Sequence, residues 1–382
     1  MSPFGFLRIV IRGIFSQTLT GKIENFLLEN CVSNRVRPNT SYFMTFTVTN
    51  QKTGTEFSVD STETILDAAT RHGYGFNYSC RSGSCGSCKG LLVSGSLESP
   101  AEPQTALSEA DIDSGQILLC QARPSTNVVI EAIELPAGSS LPIRTLPCRV
   151  TALEKACHDV MVVKLKLPQN QDFRFLPGQY VDILLRDGRR RSFSIANWTG
   201  IEEGLELHIR LVPDGHFSGQ VFNSLKVRDL LRFQGPFGTF FLREDSDRPA
   251  IMVAGGTGLA PIKAILESAF LDQAVRPFHL FWGVRNAHDL YAHDLLTQWS
   301  EQYDNFNYTP VLSDPQEDKS WSGEEGWVHE AALRHFPDLS QVDVYASGPP
   351  PMIEALKNAF EDAGLAIERL YFDSFEYASD TA

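Results

Sequence analysis

The hydrophobic pattern changes period along the chain, and each change marks a different kind of unit. From Met44, "TFTVTN" and "EFSVD" alternate apolar and polar residues around the turn "QKTGT", which predicts two paired strands. "STETILDAATRHG" then carries apolar residues at helical spacing, with Ser61 or Thr62 as the expected cap and Gly73 as the stop. A glycine- and serine-rich loop leads to strand-like "LLVSGSLE" and later "NVVIEAIEL". "LPAGSSLP", Leu135–Pro142, reads as a linker. Beyond it, "VMVVKLKL", "QYVDILL", "RRSFSIA", "LELHIRLV" and "DLLRFQG" are short strands broken by Gly and Pro, the pattern of an antiparallel barrel. From Ala250 the strands become wholly apolar ("IMVAG", "FHLFWG", "FNYTPVL", "VDVYASG") and alternate with helical stretches. That pattern predicts a parallel α/β sheet. The expected division is α+β at 44–135, a linker at 136–145, a β-barrel at 146–245 and α/β at 246–382.

Residues 1–43 fit none of these patterns. They hold five basic residues (Arg8, Arg12, Lys22, Arg35, Arg37) against two acidic ones, Glu24 and Glu29, in an otherwise acidic chain. Broken periodicity favours a disordered extension; a membrane-surface helix is the other reading. The whole chain of 382 residues carries a formal net charge of −14, which argues against nucleic acid or an anionic membrane as the main partner. No apolar run reaches the ~18 residues of a membrane span, and "FGFLRIVIRGIF" lacks the features of a secretory signal. The expected location is the cytoplasm, where thiols stay reduced and clustered cysteines serve metals or catalysis.

Such a cluster exists in "CRSGSCGSCKG". Cys80, Cys85 and Cys88 give C-x4-C-x2-C, with Cys120 downstream, the plant-type spacing for a [2Fe–2S] cluster. Four thiolates must converge from one tight loop and one distant segment, and Gly83 and Gly86 permit the left-handed conformations such a loop needs. Structural zinc is the rival, but it prefers two separated C-x2–4-C pairs. Cys31, Cys148 and Cys157 have no partner at ligand spacing and read as structural or incidental.

Four further segments carry candidate chemistry. "RRRSFSIAN" offers arginine, an aromatic ring and serine at alternating positions of one barrel strand, expected on one face: a guanidinium for a phosphate, a ring to stack and a hydroxyl for a flavin nitrogen. An exposed strand with a solvated basic face is the bland alternative. "PDGHFSG" downstream is a glycine turn in which Ser218 can open a helix over a pyrophosphate. "IMVAGGTGLAP" is strand, glycine turn and helix start, suited to a dinucleotide pyrophosphate though not a Walker A loop. "YASGPPPM" repeats the strand-to-glycine turn, and open α/β sheets bind ligands at such strand ends.

Taken in order, these motifs resemble the single-chain iron–sulfur flavoprotein reductases, in which a plant-type, β-grasp ferredoxin domain is fused to a ferredoxin–NADP reductase-like module. The likeness covers Met44 to the C-terminus. "IRTLPCRV", "RRRSFSIAN", "LRFQGPFGTFFLREDSD" and "YFDSFEYASD" are most similar to the CDP-6-deoxy-4-hexulose-3-dehydrase reductases, and bacterial oxygenase reductases share the plan. The resemblance implies a [2Fe–2S] cluster on Cys80, Cys85, Cys88 and Cys120. It implies FAD held by Arg191, Ser192, Phe193, Ser194, His208, Gly215, His216, Phe217 and Ser218. It places the nicotinamide dinucleotide on Gly255, Gly256, Thr257, Gly258, Gly348 and Pro349. Ser194 and Ser347 would act at the reacting atoms. Ser347 stands where the family has cysteine; serine still hydrogen-bonds but is less polarisable. Tyr371, Phe372 and Phe375 are candidates to cover the flavin, a packed core strand being the alternative.

The function so implied is electron transfer from NAD(P)H through FAD and the cluster to a partner protein, a dehydrase or an oxygenase component. A non-catalytic ferredoxin-like carrier is the alternative from another class. NADH is expected over NADPH, because "WGVRNAHDL" offers one arginine, Arg285, and an acid, Asp289, rather than a basic phosphate pocket.

Overall fold

The computed structural model describes residues 44–100, 104–136, 138–169, 171, 173–198, 204–315 and 321–375. The expectations for 1–43, and Cys31 with them, lie outside these residues. Among the described residues no helix is long and apolar enough to cross a membrane.

The first domain is a five-stranded sheet, β1 (Thr45–Asn50), β2 (Thr55–Asp60), β3 (Lys89–Ser94), β4 (Gln116–Leu118) and β5 (Val128–Glu131), in the order β2-β1-β5-β3-β4. Only β1 and β5 pair in parallel. Two helices, α1 (Ile65–Arg71) and α2 (Glu109–Asp113), complete it. Helix α1 buries Ile65, Leu66, Ala68 and Ala69 against Val48, Val59 and Ile130, which is the β-grasp arrangement. Its cap is Thr64, whose Oγ1 accepts from the Asp67 N–H at 3.1 Å, and not Ser61 or Thr62. Those two are consumed by the preceding turn, in which the Glu63 N–H reaches the Asp60 carbonyl. Gly73, at φ +83°, ends the helix as expected.

The second domain is a six-stranded antiparallel sheet: β6 (Arg144–Lys155), β7 (Val160–Lys166), β8 (Tyr180–Leu184), β9 (Arg190–Ser194), β10 (Leu205–Arg210) and β11 (Leu230–Phe237). Its order is β10-β7-β6-β11-β8-β9. A bridge between Ile195 and Leu207 joins the two edges and closes the barrel. Strand β6 starts inside the stretch read as linker, because Arg144, Thr145 and Leu146 already pair with Gly235, Gln234 and Phe233. Helix α3 (His216–Asn223) covers one end of the barrel.

The third domain is an all-parallel sheet of β12 (Ala250–Gly255), β13 (Phe278–Val284), β14 (Phe306–Leu312), β15 (Glu324–Glu325), β16 (Asp343–Gly348) and β17 (Leu370–Ser374). Its order, β15-β14-β13-β12-β16-β17, reverses at β12. Helices α4 (Leu259–Leu271), α5 (His293–Gln302), α6 (Val328–His335) and α7 (Pro350–Asp362) alternate with the strands. Two separate apolar clusters flank the sheet, so β12 and β16 are buried on both faces. The switch at β12 opens a crevice at the carboxyl ends of β12 and β16, where ligands of such sheets bind.

Candidate functional site: a cysteine loop and two adjoining clefts

The cysteine loop lies between α1 and β3. Gly83 and Gly86 adopt φ +86° and +77°, which confirms the need for glycine there. The turn aims donors at the sulfurs: the Ser82 N–H and Ser84 Oγ–H lie 3.4 Å from Cys80 Sγ, and the Ser87 N–H lies 3.4 Å from Cys85 Sγ. Cys120, just after β4, brings its Sγ to 3.2 Å from Cys88 Sγ. Contact with Cys85 draws the Cys80 thiol down to about 4, and contact with Cys88 lowers Cys120. The same contacts and burial push Cys85 and Cys88 up. Four thiolates held this close together would need the compensating charge of metal. Cys148 sits in the barrel core and Cys157 in the β6–β7 turn, both away from this loop.

A cleft of about 350 Å³ adjoins the loop, with Ser79 and Cys80 in its wall. Arg191, Ser192, Phe193 and Ser194 of β9, His208 of β10 and Gly215 to Ser218 at the start of α3 all line it. Strand alternation separates Arg191 and Phe193 from Ser192 and Ser194, so the cleft borders both sides of β9 and not one face as expected. The Phe193 ring packs on Phe217 at 5.6 Å. Gly215 caps α3 without a side-chain hydrogen bond, which leaves the first-turn N–H groups available to an anion. A Cβ on Gly215 would come within 2.5 Å of Ser218 Oγ. His208 is buried with both ring nitrogens engaged, by Glu206 at 3.0 Å and the Tyr291 hydroxyl at 2.9 Å. It therefore shapes the wall and has no free donor to offer.

Ser194 leads to a residue that sequence reasoning missed. Its Oγ donates to Asp373 Oδ2 at 3.2 Å, and Ser79, next to Cys80, donates to Asp373 Oδ1 at 2.6 Å. Asp373 is buried, and burial pushes its pKa up to about 6 against the two hydrogen bonds. One carboxyl group on β17 thus joins all three domains. The signal was present as an acid within the apolar run "YFDSF". Of the three aromatic candidates, only Phe375 lines the clefts. Tyr371 stacks on Tyr345 at 4.9 Å, and Phe372 lies under the Lys357 ammonium, so both serve packing.

A second cleft, of about 310 Å³, occupies the crevice at the ends of β12 and β16. Gly255, Gly256, Thr257 and Pro349 line it, together with Arg285, Asp289 and Trp327. The chain is pressed tight here: a Cβ on Gly258 would stand 2.0 Å from the Ser347 carbonyl oxygen. Ser347 Oγ is buried with no hydrogen-bond partner, and Ser347, Gly258 and Gly348, all expected at the dinucleotide, line neither cleft. Gly348 contacts Gly255 across the crevice. Arg210, Thr257 and Phe375 line both clefts, so the two are continuous.

Comparison with known proteins agrees domain by domain. Residues 48–125 match the 2Fe-2S iron-sulfur cluster binding domain, 147–242 the oxidoreductase FAD-binding domain and 252–358 the oxidoreductase NAD-binding domain. The chain is 39% identical to the CDP-6-deoxy-L-threo-D-glycero-4-hexulose-3-dehydrase reductase of Yersinia pseudotuberculosis, over 87% of this chain and 99% of that one. It is 32% identical to the reductase component DmpP of phenol 2-monooxygenase from a Pseudomonas strain, over 89% and 97%. The crystal structure of the Amycolatopsis cytochrome P450 reductase GcoB superposes with a TM-score of 0.73 at 32% identity, covering 87% of this chain and all of that one. The chain belongs to the single-chain iron–sulfur flavoprotein reductases: it is an NAD(P)H-dependent oxidoreductase that uses FAD and a [2Fe–2S] cluster.

Proposed function

We infer that the protein delivers electrons from NADH to a dehydrase acting on a CDP-linked 6-deoxy-4-hexulose. Once bound, the cofactors supply a hydride donor, a flavin that divides the electron pair and a one-electron carrier. The observation that carries this reading is continuity: the dinucleotide cleft opens into the flavin cleft, and Cys80 of the metal loop lines the latter. The choice of partner rests on similarity along nearly the full length of the dehydrase reductase.

Each residue's role follows from its position. Cys80, Cys85, Cys88 and Cys120 hold the cluster. Arg191 and the uncapped start of α3 meet the FAD phosphates, Phe193 and Phe217 form an aromatic wall, and His208 fixes β10 against Tyr291. Asp373, its pKa raised to about 6, is mostly ionised at neutrality and accepts from Ser194 Oγ, which it holds in place at the wall of the flavin cleft. Gly255, Gly256 and Thr257 would admit the nucleotide, with Gly258 packed on the Ser347 carbonyl to hold the turn close to the sheet. At the cleft Arg285 stands with Asp289, one arginine and one acid rather than a basic phosphate pocket, so NADH is the preferred donor. Comparable kcat/KM for NADH and NADPH would overturn that preference. The working units are 44–135, 144–245 and 246–382, the linker being shortened to 136–143 by the start of β6, and the reducing cytoplasm suits the thiols.

Likeness to the phenol 2-monooxygenase reductase component supports a second reading, an oxygenase partner. The test combines NADH, the holoprotein and either a purified hexulose dehydrase or an oxygenase component. NADH-dependent turnover with the dehydrase supports the first reading; turnover with the oxygenase alone, or with neither, overturns it.

A further inference from the structure

Helix α7 connects the dinucleotide cleft to the cysteine loop. It begins at Pro350, directly after the Ser347–Pro349 turn, and Lys357 leaves it about two turns later. The Lys357 ammonium donates to the main-chain carbonyl of Cys85 at 3.2 Å, across 272 residues of sequence. It also sits 3.7 Å from the centre of the Phe372 ring, a contact that holds it in place. Among the described residues no carboxylate pairs with it. Glu354 on the same helix is exposed, whereas the loop's own Lys89 is neutralised by Asp111 at 3.0 Å.

We propose that Lys357 is a positioning residue for the iron–sulfur cluster: a charge lent by the nucleotide-binding domain that holds the Cys85 turn and raises the cluster's reduction potential. The inference rests on the assignment of the cluster to Cys80, Cys85, Cys88 and Cys120. The argument is electrostatic. Reduction takes one electron from the reduced flavin, converts one ferric iron to ferrous and adds one negative charge to an already anionic group. A half-buried ammonium a few ångströms from a ligand's backbone attracts the reduced form more strongly than the oxidised one. Because the charge comes from α7 and not from the ferredoxin domain, the potential is tied to the docked arrangement of the domains. Electrons are then drawn towards the cluster when the loop sits against the nucleotide-binding domain.

The experiment is an anaerobic redox titration of the holoprotein, with the cluster read by EPR and its loading checked by iron and labile sulfide analysis. Variants are Lys357→Arg, Lys357→Gln and Lys357→Glu. Arginine remains charged at every accessible pH and should keep the parent midpoint. Glutamine should shift the one-electron equilibrium roughly tenfold towards the oxidised form, about 59 mV, and glutamate should shift it further the same way. Cluster loss in Lys357→Gln that Lys357→Arg restores also supports the proposal. It is overturned if Lys357→Gln, fully loaded, keeps the parent midpoint, or if the Arg and Gln variants lose the cluster alike. Absence of iron and labile sulfide from the parent protein would instead refute the cluster assignment beneath it.

Discussion

Replacing Asp373 with asparagine isolates a carboxyl group that joins all three domains. In the folded chain its pKa rises to about 6, mainly through burial. The ordinary aspartate value is about 3.9, so the shift is about two units, or roughly 3 kcal/mol of preference for the protonated form. The sign follows from linkage. A folded-state pKa raised above the unfolded value gives stability that is complete below about pH 4 and lost as pH rises through about 6. Roughly 1.4 kcal/mol of that loss falls between about pH 5 and 7.5. The substituted amide would keep the shape and a polar partner for Ser79 and Ser194 but could not titrate. Thermal unfolding of parent and Asp373→Asn holoproteins at both pH values removes every titration the two share. The variant should gain on the parent by a few degrees between the lower and higher pH. A difference that stays constant, or moves in the parent's favour as pH rises, refutes the reasoning.

Two further substitutions probe the clefts. Arg191→Ala removes a charge-assisted contact worth about 1.5–3 kcal/mol, so FAD affinity should fall about ten- to a hundredfold; flavin content and fluorescence titration check this. Ser347→Ala deletes a buried hydroxyl that has no partner in the protein itself, so it should leave thermal stability and flavin content unchanged. Because Ser347 lines neither cleft, kcat/KM for NADH should also hold, measured by steady-state kinetics with ferricyanide as acceptor; a fall of about tenfold would show that the hydroxyl meets the dinucleotide.

What the sequence disclosed was what repeats locally. Period-two strands, the C-x4-C-x2-C spacing and the glycine turn after β12 are each written within a dozen residues, and each lies where expected. The misplaced cap of α1 is a local error with a local cause: Ser61, Thr62 and Thr64 are all chemically able to cap, and only the turn at Asp60 decides between them. Asp373 and Lys357 were missed for a different reason. Their partners, Ser79 and Cys85, lie 294 and 272 residues away, and no periodicity within β17 or α7 reports a contact with another domain. The C-terminal aromatics show the same limit. Tyr371, Phe372 and Phe375 are alike in composition, and only the packing of Tyr345 and Lys357 reserves Phe375 for the clefts.

The central claim is that electrons reach protein acceptors by way of the metal loop. Cys120→Ser tests it directly, since Cys120 is brought to the loop by a separate segment and its loss should cost the cluster while sparing the flavin cleft. The variant is compared with the parent for NADH-dependent reduction of ferricyanide, which can collect electrons at the flavin edge, and of cytochrome c, which takes one electron from an exposed carrier. The account predicts that ferricyanide reduction persists while cytochrome c reduction falls by about tenfold or more. If a cluster-free variant reduces cytochrome c as fast as the parent, the metal loop is not on the path and the account is wrong.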